Sequence, residues 1–168
     1  MISWEEFRKL CAVEEAGDDL EKIKEENRRL VERYPFLAPK WETYDYEFTY
    51  LDDIPQGWKK AFGVEFCEEL RNILIEGDYL DKYQVVQAKE KYGGLRWYDN
   101  GAPKRIWDKL TDIVSKYEKI SERTCVRCGK PGKMIKTFWI SPYCEDCFYE
   151  IFNKDEDYEK WTFDEEEF

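Results

Sequence analysis

Cys125-Val126-Arg127-Cys128 is followed, after fifteen residues, by Cys144-Glu145-Asp146-Cys147, and these two CxxC pairs decide the fold of the C-terminal part of the chain. Two residues between cysteines allow both sulfurs to face one point from a tight turn. Two such turns provide the four thiolates that zinc binds in tetrahedral geometry. Gly129, directly after the first pair, supplies the backbone freedom that the turn requires. The spacing therefore predicts one structural zinc ion in a ribbon or knuckle module.

The alternative for these cysteines is two disulfides, which persist in oxidising compartments. No apolar run follows Met1, since the sequence continues Ile2-Ser3-Trp4-Glu5-Glu6. The chain also lacks a stretch of about 18 apolar residues that would predict a membrane helix. We therefore expect a cytoplasmic protein with reduced thiols and no membrane partner. Cys11 and Cys67 stand alone in apolar helical patterns, which is typical of small core residues.

The predicted metal site suits a structural role and not a catalytic one. Four cysteines fill a tetrahedral coordination sphere, whereas a catalytic zinc keeps one position open for water. The chain has no histidine, the commonest general base. It has neither a phosphate-binding glycine loop nor a serine nucleophile motif. With 38 acidic residues, carboxylate pairs are too frequent to single out a catalytic pair. These features predict a binding protein and no enzyme.

The composition is strongly acidic, with a formal net charge of −11. Four thiolates would add −4 and one zinc ion +2, which brings the net charge to about −13. Unaided binding to a nucleic-acid backbone is disfavoured at this charge, because that binding depends on Lys and Arg displacing counterions. The expected partners are basic protein surfaces, including those of proteins that bind nucleic acid.

The charge is unevenly distributed along the chain. Residues 101–136 contain ten basic and four acidic residues, whereas residues 153–168 contain eight acidic and two basic residues. The basic stretch predicts either a solvated helix face and hairpin, partly neutralised by the acidic tail, or a nucleic-acid-contacting patch with the tail as competitor. In the second case the phosphate contacts would come from Lys104, Arg105, Lys109, Arg127, Lys130, Lys133 and Lys136.

Residues 41–53 alternate aromatic side chains with acidic and hydroxyl side chains. A strand would place the aromatic residues on one face and the acidic residues on the other. The pattern predicts either a packed edge strand with a solvated outer face or an acidic, aromatic strip that recognises a basic partner. The candidate partner-binding residues are Glu42, Asp45, Glu47, Asp52 and Asp53 here, and Asp164, Glu165, Glu166 and Glu167 in the tail.

Helical periodicity predicts the N-terminal half. Ser3 and Glu6 form a capping-box pattern before a first helix, and a second helix ends at Pro35. A long helix is predicted from about residue 53 to Glu76, with Gly77 as its end.

The C-terminal half combines a hairpin, a helix and the cysteines. Residues 83–98 alternate as two strands around a turn at 89–94, where paired glycines would supply positive φ angles. Pro103 begins the most regular amphipathic helix, which leads directly into the first CxxC pair. Between the pairs, residues 134–140 predict a strand that Pro142 closes.

Together these elements predict an α+β fold. It has a helical N-terminal part, a small antiparallel hairpin or sheet, and a four-cysteine zinc ribbon or knuckle docked on the helix before it. The predicted division is a helical α+β domain at 1–122, a zinc-binding module at 123–152 and an acidic tail at 153–168.

Three sequence motifs resemble those of a known protein family. They are Lys89-Glu90-Lys91-Tyr92-Gly93-Gly94-Leu95-Arg96-Trp97-Tyr98, Ser121-Glu122-Arg123-Thr124-Cys125-Val126-Arg127-Cys128-Gly129 and Trp139-Ile140-Ser141-Pro142-Tyr143-Cys144-Glu145-Asp146-Cys147. Over roughly residues 33–150 the chain resembles a family of small zinc-motif proteins of phages and prophages of low-GC Gram-positive bacteria. Most members have no assigned activity. At least one acidic, zinc-containing phage protein of this general kind is an anti-CRISPR that binds a type II RNA-guided nuclease and prevents DNA loading.

The resemblance implies an acidic phage-type interaction protein that inhibits a host nucleic-acid-processing enzyme, above all a CRISPR effector nuclease in the bacterial cytoplasm. RNA-guided nucleases hold their heteroduplex in positively charged channels. A rigid acidic protein could occupy or flank such a channel. The alternative hypothesis is a nucleic-acid-binding zinc protein, such as a phage regulator, that uses the basic stretch at 101–136.

Overall fold

The computed structural model describes residues 16–136 and 140–151, with side chains for 19–135 and 140–151. Helices and two small antiparallel sheets make up this part of the chain, which confirms the α+β class. The elements are α1 (Ala16–Arg33), α2 (Gln56–Trp58), a π-helical turn (Lys59–Gly63), α3 (Val64–Glu76), β1 (Val85–Lys91), β2 (Gly94–Asp99), α4 (Lys104–Ser121), β3 (Lys133–Lys136), β4 (Ile140–Tyr143) and α5 (Glu145–Ile151). The predicted first helix after Ser3 lies outside the described residues. In the part of the chain that is described, no helix is both long and apolar enough to cross a membrane.

The helical path through residues 56–76 confirms the predicted long helix, although a π turn interrupts its regular α-helical geometry. Apolar side chains at steps of three and four residues line its inner side and are buried. The path ends as predicted, because the Gly77 N–H donates to the carbonyl oxygen of Ile73. The buried residues of this inner side are Trp58, Phe62, Phe66, Cys67, Leu70 and Leu74.

The β1–β2 hairpin confirms the predicted pairing but not the predicted turn. Positive φ angles fall on Tyr92 (53°) and Gly93 (80°), and Gly94 already pairs with Lys91 at the start of β2. Two consecutive residues with positive φ are typical of a type I′ turn, which joins two strands with two residues. The turn is therefore shorter than predicted, and Lys89, Glu90 and Lys91 belong to β1.

The predicted strand over residues 41–53 is wrong. Tyr46 has a φ of 67°, which an extended strand cannot accommodate, and Tyr50–Asp52 form a 3-10 turn. The aromatic side chains therefore contact one another instead of lining one strand face. Trp41 stacks on Phe48 with ring centroids 5.7 Å apart. We refer to residues 41–50 as the aromatic loop.

Helix α4 packs on α3 and on β2 and brings the chain to the cysteines. Tyr117 is buried between Phe62 and Phe66, with ring centroids 5.5 and 4.8 Å away. At the end of α4, the buried Ser121 hydroxyl accepts a hydrogen bond from the Leu95 N–H at 2.8 Å. This bond fixes the hairpin against α4 four residues before the first cysteine. The domain division at residues 122 and 152 stays a prediction.

Glu68 connects α3 to the end of α1. Its carboxylate accepts two hydrogen bonds from Arg33, at 2.6 and 2.8 Å, and one from the Tyr34 hydroxyl at 2.7 Å. The bonds from Arg33, and then the bond from Tyr34, lower the pKa of Glu68 below its ordinary value. A carboxyl whose pKa is lower in the folded state stabilises the fold above its unfolded-state pKa and loses that contribution as the pH falls.

We therefore expect Glu68→Gln to lower the free energy of unfolding by about 1 kcal/mol at pH 7. The difference from the unmodified chain should shrink once the pH falls below the unfolded-state pKa of about 4.3. Urea unfolding at pH 7 and at pH 3 measures both values. Glu32→Gln is a matched control, because Glu32 is exposed on α1 and makes no ion pair within the described residues. An equal loss of stability at both pH values would contradict the assigned role.

Candidate metal centre

The four predicted cysteine ligands come together at one point. The sulfurs of Cys125, Cys128, Cys144 and Cys147 all lie within 4.8 Å of one another, and those of Cys128 and Cys144 are 3.5 Å apart. A tetrahedral zinc ion with Zn–S bonds of about 2.3 Å places its sulfurs about 3.8 Å apart. The cluster therefore fits a metal ion held by four sulfurs. Cys128 is half-buried, and the other three cysteines are buried.

The first CxxC pair forms a tight knuckle. The Cys125 N–H donates to the carbonyl oxygen of Lys130 at 2.8 Å, and the Gly129 N–H donates to that of Cys125 at 3.0 Å. Gly129 has a φ of 82°, which an L-residue with a side chain rarely adopts. The glycine after the first pair is thus required by the turn, as the sequence predicts.

The second CxxC pair is brought to the knuckle by the β3–β4 hairpin. The Val126 N–H donates to the carbonyl oxygen of Pro142 at 2.9 Å, which joins the knuckle to β4. The single strand predicted over residues 134–140 is wrong, because residues 133–136 and 140–143 form two paired strands, and Pro142 lies inside β4 opposite Met134 and does not close a strand. Cys147 lies in the first turn of α5, where its N–H points at the Cys144 sulfur at 3.5 Å.

Backbone dipoles around the cluster favour a thiolate at Cys125. Burial opposes ionisation of Cys125, but backbone N–H groups of Cys144, Cys128 and Arg127 outweigh it and lower the pKa of Cys125 to about 7. Burial raises the pKa of Cys144 and, more strongly, that of Cys147. Since thiolates are the metal-binding form of cysteine, the lowered pKa of Cys125 favours metal binding at this residue.

The knuckle docks on the start of α2 as well as following α4. The Gly57 N–H donates to the carbonyl oxygen of Val126 at 2.9 Å, and the buried Trp58 indole N–H donates to that of Thr124 at 2.8 Å. A Cβ added to Gly57 would lie 2.1 Å from the Cys125 carbonyl oxygen. This contact was not predicted from the sequence. Its one available signal was a glycine within the first turn of a helical pattern, which often marks a close approach.

The cations of the basic stretch do not gather at one place. Arg127 pairs with Glu150 at 2.7 Å and Lys130 with Asp146 at 3.4 Å beside the cysteines. At the other end of α4, Lys109 pairs with Glu76 and Arg105 donates to the Gly77 carbonyl oxygen. The two ends of this 18-residue helix are about 25 Å apart. Lys104 is exposed at the first helical position, and Lys133 and Lys136 begin and end β3.

The acidic candidates do not form one surface. Asp45 and Glu47 are exposed in the aromatic loop and contact Lys24 at 3.6 and 3.1 Å. Asp52 instead serves the local fold, since it accepts a hydrogen bond from the Thr49 N–H at 2.7 Å and pairs with Lys59. Glu42 is exposed next to Trp41 in the sequence. Burial, and then the charge of Asp52, raise the pKa of Asp53. The tail candidates Asp164, Glu165, Glu166 and Glu167 lie outside the described residues.

No family model, no curated protein and no solved structure matches this chain. The fold and the cysteine cluster define a small α+β protein with a candidate four-sulfur metal centre.

Proposed function

We propose that this chain is a zinc-stabilised, acidic binding protein and not an enzyme, and that its partner presents a basic protein surface. The observation that carries the proposal is the aromatic loop. Trp41 keeps 57% of its surface exposed while it stacks on Phe48, and the same loop carries the exposed carboxylates of Glu42, Asp45 and Glu47. An exposed tryptophan stacked on a neighbouring ring, in a loop that also carries exposed carboxylates, suits recognition of a cationic surface.

The metal in this proposal is one structural zinc ion. Four sulfurs within ligand distance of a common point favour zinc over metals that prefer oxygen ligands. Cysteines at all four positions leave no coordination site for water or substrate, so the ion would hold the knuckle and α5 together. Its four thiolates would make the folded chain still more acidic.

The backbone of the aromatic loop is fixed from behind by α1. The buried Asn27 amide donates to the carbonyl oxygen of Tyr46 at 2.8 Å, and the Arg28 guanidinium lies 5.1 Å from the Tyr46 ring centroid. The Tyr44 hydroxyl donates to the Phe48 carbonyl oxygen at 2.8 Å. A loop that is already ordered loses little conformational entropy on binding, which favours affinity.

More specifically, we propose that the chain inhibits a bacterial nucleic-acid-processing enzyme, above all a type II RNA-guided nuclease. It would act in the host cytoplasm. Two features support it, the resemblance of the hairpin and cysteine motifs to phage zinc-motif proteins and the net charge of −11. Such nucleases expose positively charged channels to which an acidic protein is electrostatically attracted.

The alternative, a nucleic-acid-binding protein that uses the stretch at 101–136, has less support. Arg127, Lys130 and Lys109 are already paired with carboxylates, and the stretch is spread along α4. A mobility-shift assay at about 50 mM salt tests it, because electrostatic binding to nucleic acid is strongest at low salt. Loss of binding in Arg127→Ala and Lys130→Ala would favour this alternative.

Size-exclusion chromatography of the zinc-loaded chain with a type II effector nuclease tests the proposal directly. We expect co-elution at micromolar concentration and an affinity that falls as salt rises. Trp41→Ala and Glu42→Lys should each weaken the complex by at least tenfold, whereas Trp107→Ala should not, because Trp107 is similarly exposed (44%) but lies on α4. Absence of a complex at low salt would reject the nuclease as partner.

A further inference from the structure

The outer face of the β1–β2 hairpin collects basic and aromatic side chains. Side chains alternate between the two faces of a strand. Ala88, Leu95 and Trp97 are buried, whereas their neighbours on the opposite face point outward. The register places Lys89 opposite Arg96 and Gln87 opposite Tyr98. We refer to Lys89, Lys91, Tyr92, Arg96 and Tyr98 as the hairpin face.

The three cations of this face are not in direct contact with carboxylates of the described part of the chain, although Arg96 and Glu122 both lie beside Gly94. Within the described residues, none of them forms an ion pair with a carboxylate, unlike Arg127 and Lys130 beside the cysteines. Lys89 and Arg96 are directly opposite each other across the two strands. Like charges at such a cross-strand position destabilise a sheet. An anion bound between them would remove that repulsion.

The two tyrosines of the face are large, exposed and interleaved with the cations. Tyr92 is 69% exposed and Tyr98 is 46% exposed. The Lys91 ammonium lies 5.3 Å from the Tyr92 ring centroid and the Lys89 ammonium lies 5.5 Å from that of Tyr98. Each aromatic ring therefore stands next to a positive charge.

The face is held rigidly by contacts on the buried side of the hairpin. The Trp97 indole N–H donates to the Tyr83 hydroxyl at 3.1 Å, and that hydroxyl donates to the Asp99 carboxylate at 2.8 Å. The Leu95 N–H is bound by Ser121. A ligand would meet these side chains on a preorganised ribbon, without a loop that must first become ordered.

We infer that the hairpin face binds single-stranded nucleic acid, with Lys89, Lys91 and Arg96 at phosphates and with Tyr92 and Tyr98 stacked under bases. Alternating stacking platforms and cations are how proteins bind single strands without sequence preference. The exposed rings favour this ligand over an acidic peptide, because bases stack on aromatic rings whereas an acidic peptide would contact only the cations. The acidic remainder of the chain makes the binding weak and sensitive to salt.

Fluorescence anisotropy tests the inference with the full, zinc-loaded chain and labelled octamers of deoxythymidine and of uridine. We expect saturable binding at 25 mM NaCl and at least fivefold weaker binding for Tyr98→Ala and for Lys89→Ala. The double variant Lys89→Ala with Arg96→Ala should reduce the slope of log affinity against log salt by about 1.4, since each phosphate contact contributes about 0.7.

Matched controls separate the hairpin face from the general surface. Trp107→Ala and Lys116→Ala remove an exposed aromatic ring and a paired cation from α4 and should leave octamer binding unchanged. Trp41→Ala should also leave it unchanged, because the aromatic loop is a separate surface. Three results would overturn the inference: no binding of either octamer at 25 mM NaCl, equal losses in the control variants, or tighter binding of an octa-aspartate peptide than of the octamers.

Discussion

Replacement of Cys144 with serine is expected to reduce bound metal from one ion per chain to near zero and to lower the free energy of unfolding by about 3 kcal/mol or more. Cys144 is the sulfur that contacts both Cys128 and the N–H of Cys147, so its loss opens the cluster on two sides. Metal-ion affinity becomes folding free energy in such sites, because the unfolded chain does not hold the ligands together. Elemental analysis and thermal unfolding followed by circular dichroism measure the two effects.

Cys67→Ala is the matched control for this variant. Cys67 is buried in the main core, where burial strongly raises the pKa of its thiol. Its replacement should cost stability through lost packing but leave one metal ion bound. Unchanged melting of the unmodified chain after complete chelation would contradict a structural role for the metal. Strong visible absorption of the purified protein would identify iron in place of zinc, since four thiolates bind either metal.

Gly57→Ala is expected to have the second large effect, a loss of about 3 kcal/mol or more in the free energy of unfolding together with weaker metal binding. The new Cβ would lie 2.1 Å from the Cys125 oxygen, 2.7 Å from the Val126 carbonyl carbon and 2.8 Å from the Gly129 nitrogen. All three are backbone atoms, which cannot rotate away as a side chain can. The knuckle must therefore move off α2, and the Gly57 and Trp58 hydrogen bonds to it are lost.

Gly63→Ala provides the comparison, because Gly63 lies in the same helical path and its added Cβ would meet the Leu51 methyl groups at 3.6 Å or more. Alanine exceeds glycine in helix propensity by up to about 1 kcal/mol, so this variant should be neutral or more stable. Urea unfolding and zinc competition with a chromophoric chelator distinguish the two variants. If Gly57→Ala were as stable as Gly63→Ala, the close approach of knuckle and helix would be refuted.

Periodic patterns were sufficient to predict most regular elements. The spacing of apolar residues predicts helices α3 and α4, and the spacing of the CxxC pairs predicts the cysteine cluster. Each of these features depends on residues that are close in sequence. The aromatic loop was mistaken for a strand because its alternation is genuine but its backbone is not extended. Tyr46 adopts a left-handed conformation, and the Asp52 carboxylate caps a 3-10 turn. Local hydrogen bonds of this kind outweigh strand propensity.

The contacts that position the sites depend on distant parts of the chain. Gly57 meets Val126, and Trp58 meets Thr124, across more than sixty residues of sequence. The hairpin face was not predicted because the turn between its strands was placed incorrectly. A predicted turn that included Lys89 hid its position opposite Arg96, and the true two-residue turn at Tyr92 and Gly93 creates that pair.

The bond between Gly57 and Val126 also has a consequence for biosynthesis. Its acceptor belongs to the knuckle, and Cys147, the last cysteine of the cluster, is synthesised 90 residues after Gly57. Contacts of such long sequence separation form late in folding. The Gly57 N–H and the Trp58 indole N–H therefore gain their acceptors only after the C-terminal part of the chain has been synthesised, so docking of the knuckle on α2 is a late step in the maturation of a newly made chain.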